Sequence, residues 1–200
     1  MNQEFWNKRY QEEKTLYGLE PNRFFAEKIK QLRVGRLLLP GEGEGRNAVY
    51  AAYLGWTVIA FDMSEIAREN ALLWAKQKRE HLHYHLATAQ SFPYPTHYYD
   101  AVALMFFHLP LELRKMVHQK IAKSLKPGGK LILTGFGKEQ LNFESGGPKD
   151  AEMLYDIDTL KKEFDRIHWL EAYDRIEALK EGKGHQGPGH VISLYGELEE

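Results

Sequence analysis

The sequence predicts an α/β fold, a doubly wound and mostly parallel sheet with helices on both faces and an antiparallel pair of strands at its C-terminal end. Three observations predict it. Between residues 36 and 134, short apolar runs alternate with longer amphipathic stretches, the pattern of parallel strands joined by covering helices. A glycine-rich turn, Gly41-Glu42-Gly43-Glu44-Gly45, follows the first of those runs. The last third then changes to two β-like runs joined by a glycine-rich link.

Each element follows from local signals. Residues 4–14 read as an amphipathic helical segment before Tyr17-Gly18, and a second helix follows Pro21-Asn22 with Phe24, Phe25, Ile29 and Leu32 on one side. Residues 36–39 are a strand that ends at Pro40-Gly41, and 47–54 a helix stopped by Gly55. Residues 57–61 are a second strand, and Ser64 caps a long helix over 65–79. Residues 82–86 and 101–106 are the third and fourth strands, the third at a sheet edge. A helix over 111–125 ends before Lys126-Pro127-Gly128-Gly129, and 130–134 is the fifth strand. A short helix at 159–164 precedes the runs 167–178 and 190–197, which the link 181–189 joins. The terminal strands belong to the same sheet, so one domain is expected over 1–200, with 1–33 a helical cap or lid within it.

Composition excludes several chemistries. With Lys plus Arg at 27, Asp plus Glu at 28 and a net charge of -1, the chain lacks the basic excess of a protein held to nucleic acid by its phosphates. Without cysteine there is no disulfide, no thiolate nucleophile and no thiolate metal site, which fits a reducing compartment. The first six residues lack the basic-then-apolar order of a signal peptide, and the longest apolar run, 101–107, is far too short to cross a bilayer. The expectation is a cytoplasmic protein, monomer or homodimer, with no nucleic-acid or membrane partner.

The glycine turn carries the chemistry. A strand, a glycine turn and a helix bring backbone N–H groups and a positive helix end to a ligand, and glycine lets the backbone approach closely. The dinucleotide fingerprint requires a third glycine one residue beyond Gly45, where Arg46 stands. Glu42 and Glu44 would repel a pyrophosphate; they suit a ligand without phosphate that carries a sulfonium and an ammonium, and S-adenosyl-L-methionine is such a ligand. Asp62 ends the second strand about twenty residues on, where a doubly wound fold holds a carboxylate against ribose hydroxyls. The plain alternatives are a strand-to-helix turn for the loop and a helix N-terminal charge beside Ser64 for Asp62.

Residues 35–135 resemble the class I S-adenosylmethionine-dependent methyltransferases. The Gly41–Gly45 loop resembles their first motif and Val58-Ile59-Ala60-Phe61-Asp62-Met63-Ser64 their second. Ser91-Phe92-Pro93-Tyr94-Pro95 with Tyr99-Asp100-Ala101-Val102 resembles the approach to their fourth strand, and Leu125-Lys126-Pro127-Gly128-Gly129-Lys130-Leu131 the motif after it. The ends resemble the tellurite-resistance and thiopurine-type small-molecule methyltransferases. Trp6, Arg9, Tyr10, Tyr17-Gly18 and Glu20-Pro21-Asn22 match their opening, Gly45-Arg46-Asn47-Ala48 their loop exit, and Glu181-Gly182 with His185-Gln186-Gly187 their ending. The resemblance implies a Rossmann-like seven-stranded sheet and methyl transfer from S-adenosylmethionine to a small acceptor, for example a thiol or a tellurium or selenium oxyanion. It also implies cofactor contacts from Gly41, Glu42, Gly43, Glu44, Gly45, Asn47, Asp62, Met63, Ser64, Thr88, Ala89 and Gln90. Two positions depart. Leu39 replaces an acid before the first glycine, leaving Glu42 to contact the methionine part. The segment Ala87-Thr88-Ala89-Gln90 lacks the acid usual after the third strand, leaving adenine to backbone groups and to the Thr88 hydroxyl or the Gln90 amide.

Methyl transfer from a sulfonium is an in-line displacement that needs proximity and a dry site, and a general base only for a neutral nucleophile. His108, after the fourth strand, is the leading candidate to line the transfer site, or else it caps the helix near Pro110. His185 reaches the same site from the last hairpin, or else it is a surface loop residue. Arg46 pairs with an anionic substrate, or with Glu42 or Glu44. Trp6, Arg9, Tyr10 and Tyr17 form a lid, or pack as an ordinary helix. Of Phe106 and Phe107, one is expected in the core and one on the pocket wall. His81, His83 and His85 share one face of the third strand, read as a solvated edge and not as a metal site. The competing functions are a cofactor-binding protein without activity and, less well supported, a nucleic-acid methyltransferase; the Asn/Asp-Pro-Pro-aromatic signature of the latter is absent.

Overall fold

Strands whose residues are apolar at every position demand cover on both faces, and the computed structural model, which describes residues 2–199, supplies it. The elements run α1 (Gln3–Glu12), α2 (Arg23–Ile29), β1 (Arg36–Pro40), α3 (Arg46–Tyr53), β2 (Thr57–Asp62), α4 (Glu65–Lys78), β3 (His83–Leu86), β4 (Tyr99–Met105) and α5 (Leu111–Ser124). They continue with β5 (Leu125–Phe136), 3-10 turns at Lys138–Asn142 and Ala151–Met153, α6 (Ile157–Glu163), β6 (Ile167–Glu181) and β7 (His185–Leu198). The seven strands form one sheet in the order β3-β2-β1-β4-β5-β7-β6, parallel except where β7 runs antiparallel to β5 and β6. This is the predicted Rossmann-like fold.

Alternate side chains of the central strands divide the core. Leu38, Phe61, Val102, Leu104 and Leu131 pack with Val117 and Ile121 of α5 and Leu160 of α6. Leu37, Leu39, Val58, Ala60, Ala103 and Ile132 pack on the other face with Phe25 and Ile29 of α2, Ala48 and Ala51 of α3, and Ala71 and Ala75 of α4. Ser64 caps α4 as predicted, its Oγ accepting from Ala67 N–H at 3.1 Å. No helix among the described residues is long and apolar enough to cross a membrane.

Most boundaries shift by a residue or two from expectation, and three differences bear on the sheet and its core. β5 begins at Leu125, because Tyr99 pairs with Leu125 while Ala101 pairs with Lys130; the Pro-Gly-Gly turn bulges out of a strand that resumes its register. The glycine-rich link 181–189 shrinks to Gly182-Lys183-Gly184, since backbone pairing runs through Glu181 and His185 and needs no side chains at Gly187 or Gly189. Leu32 lies beyond the end of α2 at Ile29, although it still packs on the core. Order reverses between β1 and β4, and the crevice at that reversal, beyond the carboxyl ends of the strands, is where such a sheet accepts ligands.

Candidate functional site

A cavity of about 310 Å³ occupies that crevice, walled by the Gly41–Gly45 loop, the end of β2, the segments after β3 and β4, α1, and the tip of the β6–β7 hairpin. The loop is built of left-handed turns, with φ of 59° at Gly41, 62° at Gly43 and 83° at Gly45. At Gly41 a Cβ would fall 2.3 Å from the Phe107 ring, so this position takes no side chain without moving the cavity wall.

Carboxylates gather at this end. Asp62 Oδ2 accepts from Gly43 N–H at 3.0 Å and Oδ1 from Ser64 N–H at 2.8 Å, which ties the loop to β2. Glu42 Oε1 accepts from the N–H groups of Asn47 and Ala48, both at 2.8 Å, satisfying the exposed donors of the α3 N-terminus. Burial pushes the Glu42 carboxyl up to about 7, against the pull of those N–H groups and Arg46. Burial likewise raises Asp62 above the usual carboxylate range, although Ser64 and Gly43 oppose it. Glu44 turns outward to the N-terminal segment and accepts from Thr15 N–H at 2.9 Å, Leu16 N–H at 2.8 Å and Asn70 Nδ2 at 3.0 Å.

The opposite end is a seam between the N-terminal segment and the hairpin. Glu181 accepts from Arg46 at 2.9 Å, Asn22 Nδ2 at 2.8 Å and His185 Nδ1 at 3.1 Å. Arg46 also donates to the Tyr17 carbonyl at 3.0 Å, so its partner is Glu181 and not Glu42 or Glu44. Burial would raise Glu181, but His185 and Arg46 overcome it and hold the carboxyl at about 2. Gly184 N–H donates to the Leu16 carbonyl at 2.8 Å. Aromatic rings continue the seam: Trp6 stacks near Tyr10, Tyr10 meets Tyr17, and His185 sits 4.5 Å from Tyr17 and 4.3 Å from Phe106.

His108 stands on the cavity wall and does not cap a helix. It lines the cavity, yet its Nδ1 donates to the Met153 carbonyl at 2.8 Å and its Nε2 accepts from Phe136 N–H at 3.0 Å, so both nitrogens are committed. It does not cap α5, whose Pro110 cap makes no side-chain bond. Burial, opposed by the Met153 carbonyl, pulls it down to about 4, so it is a neutral brace between the β4 loop and β5.

Of the residues predicted to contact a cofactor, Gly41, Glu42, Glu44, Asn47, Asp62, Met63 and Ala89 lie on the cavity wall, while Gly43, Gly45 and Ser64 lie behind it. Thr88 and Gln90 are exposed and off the wall; Thr88 Oγ1 is instead engaged with Ser91. Trp6, Arg9, Tyr10 and Tyr17 line the cavity, and Trp6, Tyr10 and Tyr17 also pack in a small core with Ala67 of α4. Both Phe106 and Phe107 line it, since Phe106 leaves the strand at a left-handed φ of 54° that breaks the alternation of faces. His81, His83 and His85 are exposed at the β3 edge. Sequence reading missed Glu181 as the hub of the seam, and it missed the wall formed by Gly146, Gly147, Pro148 and Met153. The Gly146-Gly147-Pro148 run was the signal available for that wall.

A methyltransferase-domain family matches residues 38–133. Among curated proteins nothing matches in sequence. Solved structures match in shape. TehB from Haemophilus influenzae is 14% identical, with 97% of this chain and 67% of that chain covered and a TM-score of 0.76. N-methyltransferase NodS from Bradyrhizobium japonicum WM9, solved with S-adenosyl-L-homocysteine, is 14% identical with both chains fully covered (100% and 100%) and a TM-score of 0.73. A SAM-dependent methyltransferase from Methanosarcina mazei is 18% identical, with 91% of this chain and 100% of that chain covered and a TM-score of 0.69. The architecture is that of the class I S-adenosylmethionine-dependent methyltransferases.

Proposed function

We propose, from the premise of a class I methyltransferase fold, that this chain is one domain that transfers a methyl group from S-adenosyl-L-methionine to a small-molecule acceptor in the cytoplasm. The observation that carries the reading is the charge of the crevice: two buried carboxylates, Glu42 and Asp62, stand on its wall where a cation would lie, at the strand reversal. The residues fit the cofactor. Each Asp62 oxygen accepts one N–H and keeps capacity for a ribose hydroxyl. Met63, Ala87, Ala89 and Leu109 offer apolar walls for a flat base. When bound, the cofactor supplies a methyl group already activated on a sulfonium. The chain aligns it, and the aromatic seam excludes water.

The acceptor belongs at the other end, among Trp6, Tyr17, Phe106 and Phe136. There Arg9 makes no hydrogen bond or ion pair with the described residues and only stands over the Phe5 and Trp6 rings, both at 5.7 Å. An uncompensated cation in an aromatic pocket favours an acceptor that is anionic when it reacts, as thiolates and chalcogen oxyanions are. This is the chemistry of the tellurite-resistance and thiopurine-type group. Nucleic acid is not the acceptor on this reading, and the chain acts as a monomer or homodimer. Calorimetry tests the first half: saturable heat with S-adenosylmethionine is expected, and no heat at millimolar cofactor overturns it. A second reading, cofactor binding without transfer, draws on the committed nitrogens of His108 and the committed guanidinium of Arg46. Transfer to any member of a panel of thiols, tellurite, selenite and amines removes it.

A further inference from the structure

We infer that Glu181 and His185 form a dyad in which Glu181 positions His185 to take a proton from the acceptor, so that a weakly acidic X–H such as a thiol can enter neutral and become an anion only as it reacts. The inference rests on the methyl-transfer reading for its reaction and on the geometry for its dyad. The Glu181 carboxylate only accepts, so the His185 nitrogen 3.1 Å from it, Nδ1, must carry the hydrogen. That fixes the tautomer and leaves the lone pair on Nε2. Among the described residues the ring's one hydrogen bond is that of Nδ1 to Glu181, which leaves Nε2 without a partner, and the ring lines the cavity. Gly146 keeps this edge open. A Cβ there would lie 2.9 Å from His185 Cδ2 and 3.5 Å from Nε2. His108, the other cavity histidine, has both nitrogens engaged and offers no alternative base.

The charges around the ring suit this task. Glu181 faces it from β6, Arg46 from α3 and Arg9 from α1, while Tyr17 packs on it. Burial and the two arginines hold the free ring neutral against the pull of Glu181, so it stands ready to accept. The step balances. The X–H proton moves to Nε2, the X pair forms the bond to the methyl carbon, and the S–CH3 pair returns to sulfur. Neutral S-adenosylhomocysteine and X–CH3 result, and the imidazolium, stabilised by Glu181, gives its proton to solvent.

Two measurements on the full chain test it. Long-range proton–nitrogen NMR at pH 7.5, without any ligand, reads the His185 tautomer. Nδ1–H with a bare Nε2 is expected, shifting toward a mixture in Glu181→Gln; Nε2–H or a charged ring in the wild type overturns the dyad. This readout is independent of cofactor binding, so its failure and that of the methyl-transfer reading are distinguishable. Methyl transfer to thiols of graded acidity, from alkanethiols to 4-nitrothiophenol, then separates a base from a structural residue. His185→Gln should lose about 10²-fold or more with the alkanethiols, which are neutral at this pH, and little with 4-nitrothiophenol, which ionises unaided. A uniform loss across the series, or none, overturns the proton-transfer role.

Discussion

At the parallel end of the cavity, carboxylates close on backbone N–H groups nearby in sequence: Glu42 on Asn47 and Ala48, five and six residues on, and Asp62 on Gly43, nineteen residues back. At the hairpin end, side chain meets side chain across nearly the whole chain, as Arg46 and Asn22 reach Glu181 from 135 and 159 residues away. The first end needs only a strand, a glycine turn and a helix. The second has one local pair, Glu181 with His185, and needs the N-terminal half docked on the hairpin before Arg46 and Asn22 can reach Glu181. One end is a local motif, and the other is a product of assembly.

Breaking the hairpin end should therefore cost the most stability. Glu181→Ala leaves buried Arg46 without a counter-charge and is expected to lower unfolding free energy by about 3 kcal/mol, read from urea denaturation. A loss below a few tenths would mean that the seam adds little to the fold. At the parallel end the largest effect falls on binding. Asp62→Ala should weaken S-adenosylmethionine by about 10- to 100-fold in calorimetry, the worth of one or two hydrogen bonds to a charged group. Unchanged affinity would remove Asp62 from the cofactor site.

Arg9→Gln sharpens the contrast, since it lies at the acceptor end alone. It should lower kcat/KM for the acceptor about tenfold while cofactor affinity stays within twofold, the loss of one charge-assisted contact. The reverse pattern would move Arg9 to the cofactor end. A smaller effect comes from pH. Burial lifts Glu42 to about 7, and a cation bound beside it favours the ionised form. Affinity for S-adenosylmethionine should thus be full above pH 7 and fall severalfold as pH drops through it, whereas S-adenosylhomocysteine, whose sulfur is uncharged, should respond less. Equal pH profiles for the two would detach Glu42 from the sulfonium. The smallest effect is expected at Thr88→Ala and Gln90→Ala, which lie off the wall and should leave cofactor affinity within twofold.

The same contrast explains what was legible in the sequence. The run of strands and helices through 36–134, the glycine loop, the place of Asp62 at the end of the second strand and the Ser64 cap all follow from patterns that span at most some twenty residues, and the structure has each of them in place. The partner of Arg46 was misread because the nearest acids in sequence, Glu42 and Glu44, are spent on N–H groups, while the acid that binds it comes from the other end of the chain. The glycine-rich hairpin was misread because glycine signals loops, yet here its backbone pairs as a strand. His108 was read as lining the site or capping a helix; it does line the cavity, but that both its nitrogens are engaged, by main-chain groups of Met153 and Phe136, depends on distant segments.

The seam has one more consequence. Tyr10, near one end of the chain, and His185, near the other, face the same cavity. A ligand that fills it touches both and acts as a reversible staple across the chain, favouring the folded form by mass action. Occupancy should thus register as a rise in melting temperature set by the ligand concentration relative to its Kd, and protease cleavage near Gly18 should slow in step.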